Sequence, residues 1–338
     1  MSAHQPARRG LLLTMIFLIA AGCGGGAQDS SETSAPETTV GGWSFTDARG
    51  VEIELESAPD SIVADTYTAA SLWDFGVRPV GVFGWGLEEE ESAWANSLGS
   101  VDLDQVEVVG VGDQLNIEAV AALQPDLIVG YGPVDPTDDT VAPLIWVSDE
   151  NMPLLEDIAP PVATKWFGVT LEEALAFHED LASALGADVG DPALVQAKED
   201  FESAVAELAT RAEGSELILM AVSAGPDGIW VANPPGFAIL GFLAGLGFDV
   251  VVPENPDGPW ELLSWENVNL YPADVLLFVG NNPLETGILD DQPTWLDLPA
   301  VEAEQVVSFN DKWPFNYVFY AEALAGMADS LQDFEPLD

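Results

Sequence analysis

The stretch that decides the fold is residues 115–129, which read LNIEAVAALQPDLIV. Residues 117–123 have the composition of a helix, and residues 127–129 are a short apolar run that follows a proline and an aspartate. Short continuous apolar runs that alternate with helices indicate a parallel sheet whose faces are covered by helices. We therefore predict an α/β fold in which residues 127–129 form a buried strand.

The same alternation extends outward from this stretch in both directions. Before it lie a hairpin at 44–56, strands at 62–64, 80–83 and 108–111, and helices at 69–75 and 92–98. After it lie strands at 144–147, 217–222, 248–252, 275–279 and 306–309, and helices at 236–245, 265–270 and 319–334. The pattern predicts two lobes, each with a central, mostly parallel sheet flanked by helices.

A purely helical segment separates the two lobes. Residues 170–185 open with Thr170 as a helix cap and Glu173 three residues later, which is the pattern of a capping box. A second helix is predicted at 192–212, with Asp191 as its cap and Pro192 in its first turn. We expect an N-terminal lobe at 43–169, a bridging helix and the following helix at 170–213, and a C-terminal lobe at 214–338. The helix at 170–185 is expected to be the one rigid bridge.

The N-terminus has the layout of an export signal, because Arg8 and Arg9 precede an apolar run and small residues before Cys23. A cysteine directly after Ala-Ala-Gly resembles the lipobox of bacterial lipoproteins, which implies cleavage before Cys23 and a lipid on its thiol. An ordinary signal peptide is the alternative. We expect a signal peptide at 1–22, a flexible tether at 23–42, and a protein anchored by lipid at the extracytoplasmic face of the cell membrane.

Charge is the most unusual bulk property of the chain. Eight basic residues stand against 58 acidic ones, for a formal net charge of −50. Such a chain repels nucleic-acid phosphates and anionic lipid, so we exclude a nucleic-acid partner and expect no attraction to membranes by charge. The composition resembles that of salt-adapted proteins, in which ions screen the repulsion. An acidic patch for a cation or a basic partner is the functional alternative.

Four segments, taken in order, resemble one family. Besides residues 115–129, they are GVRPVGV at 76–82, SWENV at 264–268 and WLDLPAV at 295–301. They resemble the periplasmic-binding proteins that deliver iron–siderophore complexes and vitamin B12 to ABC importers. The resemblance implies a monomer of two lobes bridged by a rigid helix, with the ligand in the interlobe cleft and an ABC permease as partner. An iron(III)-siderophore is the expected ligand, and a corrinoid such as vitamin B12 is the alternative.

In that family one glutamate on each lobe contacts arginines of the permease, and matching the motifs places these glutamates at Glu118 and Glu266. Contacts between opposite charges of this kind mainly set the rate and orientation of docking. The alternative is that each is a first-turn glutamate favoured by the helix dipole. We predict both as permease-docking residues.

Ligand contacts are expected where strands end and loops of the two lobes face each other. Aromatic rings suit the apolar flanks of a metal chelate, and lysines suit an anionic ligand. The candidates are Tyr67, Trp85 and Tyr131 in the first lobe, Lys165 and Trp166 just before the bridging helix, and Trp230, Asn233, Lys312, Trp313 and Asn316 in the second lobe. Because the second lobe contains no arginine, a neutral or cationic hydroxamate complex is favoured over a highly anionic catecholate complex.

Nothing in the sequence points to catalysis. Beyond the signal the chain has one histidine, His178, which lies in a predicted helix and cannot by itself form a multi-histidine metal site. No Gly-x-Ser-x-Gly motif, P-loop or dinucleotide fingerprint follows a predicted strand. We predict no enzyme activity, no catalytic residues, no cofactor and no resident metal. A surface hydrolase and a sensor or adhesion lipoprotein without transport are the alternatives from other classes.

Overall fold

Short buried strands alternate with capped helices in the computed structural model, which describes residues 42–87, 98–132, 143–145, 147–256, 258–310 and 313–337. The strands are β1 (Trp43–Thr46), β2 (Glu52–Leu55), β3 (Ile62–Asp65), β4 (Gly81–Phe83), β5 (Glu107–Val108), β6 (Gly110–Val111), β7 (Gln114–Leu115), β8 (Leu127–Tyr131), β9 (Pro161–Thr164), β10 (Ile218–Gly225), β11 (Gly228–Ala232), β12 (Asp249–Val250), β13 (Trp260–Ser264), β14 (Val275–Val279) and β15 (Val306–Phe309). The helices are α1 (Thr66–Trp73), α2 (Ile117–Leu123), α3 (Met152–Glu156), α4 (Leu171–Ala184), α5 (Pro192–Ala212), α6 (Ala238–Leu246), α7 (Pro283–Thr286), α8 (Pro293–Leu296), α9 (Pro299–Glu302) and α10 (Tyr317–Leu331).

The first sheet has the strand order β5-β4-β3-β8-β9, and each neighbouring pair is parallel. Its central strands are apolar on both faces, as a sheet covered on both sides requires. Val63 and Ile128 pack on the face covered by α2 and α3, whereas Ala64 and Val129 pack on the face covered by α1 and α4. The predicted α/β fold with a buried parallel sheet is confirmed.

Two expectations for this sheet are wrong. The apolar run at 144–147 is no strand, because Leu144 lies in a bend and Ile145 in a turn, while Trp146 lies outside the described residues. The fifth strand is instead β9, which the sequence did not reveal. A four-residue apolar run cannot be assigned to a strand or a buried loop by its periodicity, and β9 begins with a proline, which an edge strand tolerates.

The second sheet joins a parallel core to an antiparallel extension. Its order is β13-β11-β10-β14-β15, with β12 also parallel to β10. β10, β14 and β15 are parallel, whereas β11 is antiparallel to both β10 and β13. The sequence analysis missed β11 and β13, although Gly-Pro-Asp-Gly at 225–228 is a turn sequence between two apolar runs. The helix expected at 265–270 is also wrong, since only a 3₁₀ turn at Trp265–Asn267 forms there.

Two helices connect the sheets within a compact unit that begins at Gly41. The capping box of Thr170 and Glu173 starts α4 as predicted, and Asp191 caps α5. Along α4, Leu171 packs beneath the second sheet and Leu181 beneath the first. The 21-residue α5 returns in the opposite direction, so the expected bridging helix is accompanied by a second and longer one. Among the described residues, no helix is long and apolar enough to cross a membrane.

Candidate ligand-binding site

Three of the predicted contact residues form one stack at the carboxyl edge of the first sheet. Tyr67 follows β3, Tyr131 ends β8, and Trp166 follows β9. The ring centroids of the two tyrosines are 5.4 Å apart, those of Tyr131 and Trp166 are 4.5 Å apart, and the planes differ by 14° and 22°. All three side chains are buried. We call these three residues the aromatic platform.

Polar groups beneath the platform connect the chain segments that carry its rings. Asp65 caps α1, and its Oδ1 accepts a hydrogen bond from the Thr68 amide at 2.7 Å. Its Oδ2 accepts a second hydrogen bond, from the Tyr131 amide at 2.5 Å. The hydroxyls of Thr68 and Thr164 are 3.3 Å apart, which adds the end of β9 to the network. Burial raises the pKa of Asp65 to about 6.

Ring contacts continue from the platform into the second half of the molecule. The centroids of Trp166 and Phe167 are 4.2 Å apart, those of Phe167 and Phe237 are 6.4 Å apart, and those of Phe237 and Trp260 are 5.0 Å apart. The sequence analysis missed Phe167, Phe237 and Trp260. The sequence gave only a weak signal for these residues. Phe167 adjoins Trp166, a predicted site residue, whereas Trp260 lies on β13, which was not recognised as a strand. The platform and the second sheet therefore share one apolar wall.

Trp230 extends this wall on the antiparallel strands. It lies on β11, and its register partner on β13 is Leu262. The side chains of a strand alternate between faces, so both residues share a face with Trp260 and Ala232, which form the register pair two residues further along. Trp230 is 40% exposed and Leu262 is 43% exposed. These two residues, which we call the exposed pair, give the wall a surface that a ligand can cover.

Two further candidates lie beside the wall. Trp85 is partly buried against the same apolar cluster, and its carbonyl accepts a hydrogen bond from the Thr66 hydroxyl at 2.8 Å. Asn233 follows β11, and its amide donates to the Pro259 carbonyl at 2.8 Å. Asn233 makes no side-chain cap of the 3₁₀ turn that it begins, and it is half-buried.

Trp313 and Asn316 lie in a segment that joins the two halves. Trp313 is buried, with its ring centroid 5.2 Å from that of Phe309. Asn316 is fully buried, and its amide nitrogen donates to the Ala70 carbonyl of α1 at 3.2 Å while its oxygen caps α10. The amide nitrogen of Asn316 therefore links the two halves and its oxygen caps α10, so Asn316 has a structural role.

Lys165 precedes Trp166 of the platform in the chain, and its side chain reaches α4. Its Nζ lies 6.0 Å from the ring centroid of Phe177, and it makes no ion pair within the described part of the chain. Three other cations have carboxylate partners there: Arg49, Lys198 and Arg211. Lys312 and Cys23, which the sequence analysis also singled out, lie outside the described residues.

The two predicted docking glutamates are exposed at the carboxyl edges of the two sheets. Glu118 is in the first turn of α2, whose other end leads into the amino end of β8, so Glu118 lies toward the carboxyl edge. Glu266 follows β13, which runs parallel to β10 because each is antiparallel to β11. Both carboxylates therefore lie toward the carboxyl edges of their sheets, which on the first sheet is also where the platform lies.

His178 lies inside α4 rather than at an exposed site. Its Nδ1 is 2.8 Å from the Ala174 carbonyl, and its Nε2 has no hydrogen-bond partner among the described residues. Full burial lowers the pKa of His178 to about 4, which keeps the ring neutral at pH 7. In the described part of the chain, no group of three or more His, Cys, Asp or Glu side chains is arranged to hold a metal ion.

The family described as periplasmic binding protein matches residues 92–312, which is more than half of the chain. The chain belongs to this family. The resemblance stated from the sequence motifs is thereby confirmed.

Individual relatives support the same grouping. The ferric-siderophore receptor DesE from Streptomyces coelicolor is 31% identical, with a TM-score of 0.78 over 88% of this chain and 100% of that one. The iron(3+)-hydroxamate-binding protein YxeB from Bacillus subtilis is 24% identical over 95% of both chains. The siderophore periplasmic binding protein from the fuscachelin gene cluster of Thermobifida fusca has a TM-score of 0.58 over 81% of this chain and 96% of that one, at 24% identity, and so supports the fold.

Proposed function

We propose that this protein captures a ferric hydroxamate siderophore between its two halves and delivers it to an ABC permease. The observation that carries the proposal is the aromatic wall, which runs from the buried platform to the exposed pair of Trp230 and Leu262. Rings and aliphatic side chains suit the methylene-rich flanks of such a chelate. The name of one relative includes iron(3+)-hydroxamate, and that of another includes ferric-siderophore.

Charge supports a hydroxamate rather than a catecholate ligand. The chain has a formal net charge of −50. Two described cations make no ion pair, Lys165 and Arg78, and Arg78 lies over the ring of Trp73. A ferric tricatecholate carries several negative charges, which would have to be brought into a strongly negative protein. A ferric trihydroxamate is neutral or singly charged and avoids this repulsion.

Tryptophan-fluorescence titration in salt tests the ligand. Ferrioxamine B, ferric enterobactin and cobalamin represent the three ligand classes, each with its metal-free form or an absorbance control. We expect saturable quenching by ferrioxamine B at micromolar or tighter affinity, which is more than about 8 kcal/mol. A response to cobalamin alone would transfer the assignment to corrinoid uptake, and a response to ferric enterobactin alone would reject the charge argument.

Delivery to the permease is proposed to depend on Glu118 and Glu266. Their position at the carboxyl edges would present both carboxylates beside the opening of the ligand site. Glu118→Lys and Glu266→Lys should leave ligand affinity unchanged and abolish iron uptake by cells. Glu202→Lys is the matched control, because Glu202 is an exposed glutamate on α5, away from those edges. Normal uptake by the double variant would remove the docking role.

The lipid anchor at Cys23 is the third part of the proposal. A tethered protein remains beside its permease, which suits a cell without an outer membrane to retain a soluble carrier. Mass spectrometry of the protein extracted from cells should show an N-terminal Cys23 that carries lipid, and Cys23→Ser should remove that mass. An unmodified cysteine in the extracted protein would reject the anchor while leaving the ligand proposal intact.

A further inference from the structure

We propose that Asp65 is a positioning residue for ligand binding: its buried carboxylate holds the rings of the aromatic platform in their stacked arrangement. This inference rests on the proposed function, because the platform is taken to contact the siderophore. The sequence analysis gave Asp65 no role, and no side chain of the platform is itself charged.

Each oxygen of Asp65 fixes a different ring-bearing segment. Oδ1 accepts from the Thr68 amide and so sets the first turn of α1, which carries Tyr67. Oδ2 accepts from the amide of Tyr131 itself. Through the hydroxyl contact between Thr68 and Thr164, the network also includes the end of β9. The carboxylate thus lies between the two tyrosines, and one threonine pair links it to the strand that precedes Trp166.

The surrounding backbone leaves this carboxylate little freedom. A Cβ on Gly130 would lie 2.9 Å from Asp65 Oδ2, so the absence of a side chain there permits the close approach. Asp65 is 1% exposed and makes no ion pair within the described part of the chain. A buried carboxylate without a cation costs stability unless its hydrogen bonds compensate. This destabilising carboxylate lies where the segments that carry the platform rings meet, which is the position that a positioning role requires.

The same geometry predicts a pH dependence of ligand affinity. In the described residues, the groups that face Asp65 are Tyr67 and Thr68 of α1, Tyr131 of β8 and Leu144, none of which titrates between pH 5 and 8. The charged residue next to this network in the chain is Lys165, which directly follows Thr164 at the end of β9. Protonation turns one accepting oxygen into a hydroxyl and weakens one of the two amide hydrogen bonds. Ligand affinity should therefore fall as the pH falls.

Ferrioxamine B affinity measured from pH 5 to pH 8 tests this directly. With the pKa of Asp65 at about 6, a site that needs the carboxylate should lose about tenfold in affinity at pH 5. Asp65→Asn places a donor against one of the two amides, so it should bind about tenfold more weakly at pH 8 and show a flat pH profile. Thr68→Val removes the hydroxyl that stabilises the carboxylate and should shift the midpoint of the profile to higher pH.

Asp126→Asn is the matched control. Asp126 Oδ2 accepts hydrogen bonds from the amides of Asp60 and Ser61, at 2.9 and 3.0 Å. It therefore connects β3 and β8 as Asp65 does, but at the amino edge of the sheet, far along both strands from the rings. This variant should lose stability while keeping the affinity and pH profile of the unmodified protein. Equal profiles for Asp65→Asn and Asp126→Asn would overturn the proposal.

Near-ultraviolet circular dichroism without ligand separates this inference from the ligand assignment. The stacked rings should give a pH-dependent signal with a midpoint near pH 6, which Asp65→Asn abolishes and Thr68→Val moves upward. If that signal appears but ferrioxamine B does not bind, Asp65 positions the rings and the ligand assignment fails. If Asp65→Asn leaves the spectrum and its pH dependence unchanged, the positioning role is wrong whatever ligand binds. Thr68→Val provides the test should Asp65→Asn fail to fold.

Discussion

The carboxyl edges of the two sheets carry aromatic residues in opposite ways. At the first edge, Tyr67, Tyr131 and Trp166 are at most 6% exposed, because each follows or ends a strand of an all-parallel sheet and is packed by the helix or loop that comes next. At the second, Trp230 and Leu262 are at least 40% exposed, and they lie on antiparallel β11 and β13, the two outermost strands on that side of the sheet. Folding thus buries the platform at the first edge, whereas the exposed pair at the second edge is left for the ligand to cover.

The largest expected effect follows from burial at the first edge. Trp166→Ala removes a ring whose centroid lies 4.5 Å from that of Tyr131 and leaves a cavity. Such a truncation should lower the free energy of unfolding by about 3–5 kcal/mol. Trp230→Ala at the second edge should lower it by less than about 1 kcal/mol, because the side chain is 40% exposed.

Urea denaturation followed by circular dichroism measures both changes in the same salt. Because both variants lose the same side chain, the difference between their free energies of unfolding reports how well each tryptophan is packed. Similar losses of stability for the two variants would show that Trp166 and Trp230 are equally well packed, and the proposed difference between the two edges would be wrong.

The difference between the edges also explains what the sequence could predict about the fold. Capped helices were predicted almost to the residue, as with Thr170 and Asp191, because their end signals are local. Strands such as β14 were predicted because burial on both faces requires a continuous run of apolar residues, which is easy to recognise in the sequence. β11 and β13 were missed because the turn sequence at 225–228 was not recognised, although the apolar run of β11 follows it directly.

The site was predictable in part for the same reason. Tyr67 and Tyr131 could be chosen because each lies just beyond a predicted strand, and Trp166 because it precedes the predicted bridging helix. Their mutual stacking could not be read from the sequence, since it depends on the order of β3, β8 and β9 in the sheet. Asp65 was overlooked because a capping aspartate is common, and what distinguishes it, a second hydrogen bond to residue 131, is a long-range contact.

A smaller effect is expected where the two halves meet, at His178. Its pKa of about 4 lies below the ordinary value of 6.5, so between these values the unfolded chain binds a proton that the folded protein does not. Stability should therefore fall as the pH falls from 6.5, by about 3 kcal/mol once the pH is below 4. The ring lies 5.3 Å from that of Phe315, in the segment that joins the halves.

Asp65 acts in the opposite direction over an overlapping range. Its pKa of about 6 is above the ordinary 3.8, so the folded protein binds the proton first and gains stability as the pH falls. The two groups should largely cancel in the unmodified protein. Urea denaturation at pH 7 and pH 4.5 should show that His178→Phe gains about 2–3 kcal/mol relative to the unmodified protein on acidification. Parallel pH curves would mean that His178 is accessible to protons in the folded state.

The smallest effect concerns the exposed pair and sharpens the comparison at the second edge. If the ligand covers Trp230 and Leu262 together, Trp230→Ala should weaken ferrioxamine B binding about tenfold and Leu262→Ala by a smaller factor. The double variant should differ from the sum of the single effects by about 0.5 kcal/mol or more, since residues under one ligand couple. Leu296→Ala is the control, because Leu296 is 41% exposed on α8, outside the wall. Additive effects with unchanged stability would mean that the ligand does not cover Trp230 and Leu262 together. The ligand-binding surface would then be smaller than the exposed surface of the pair.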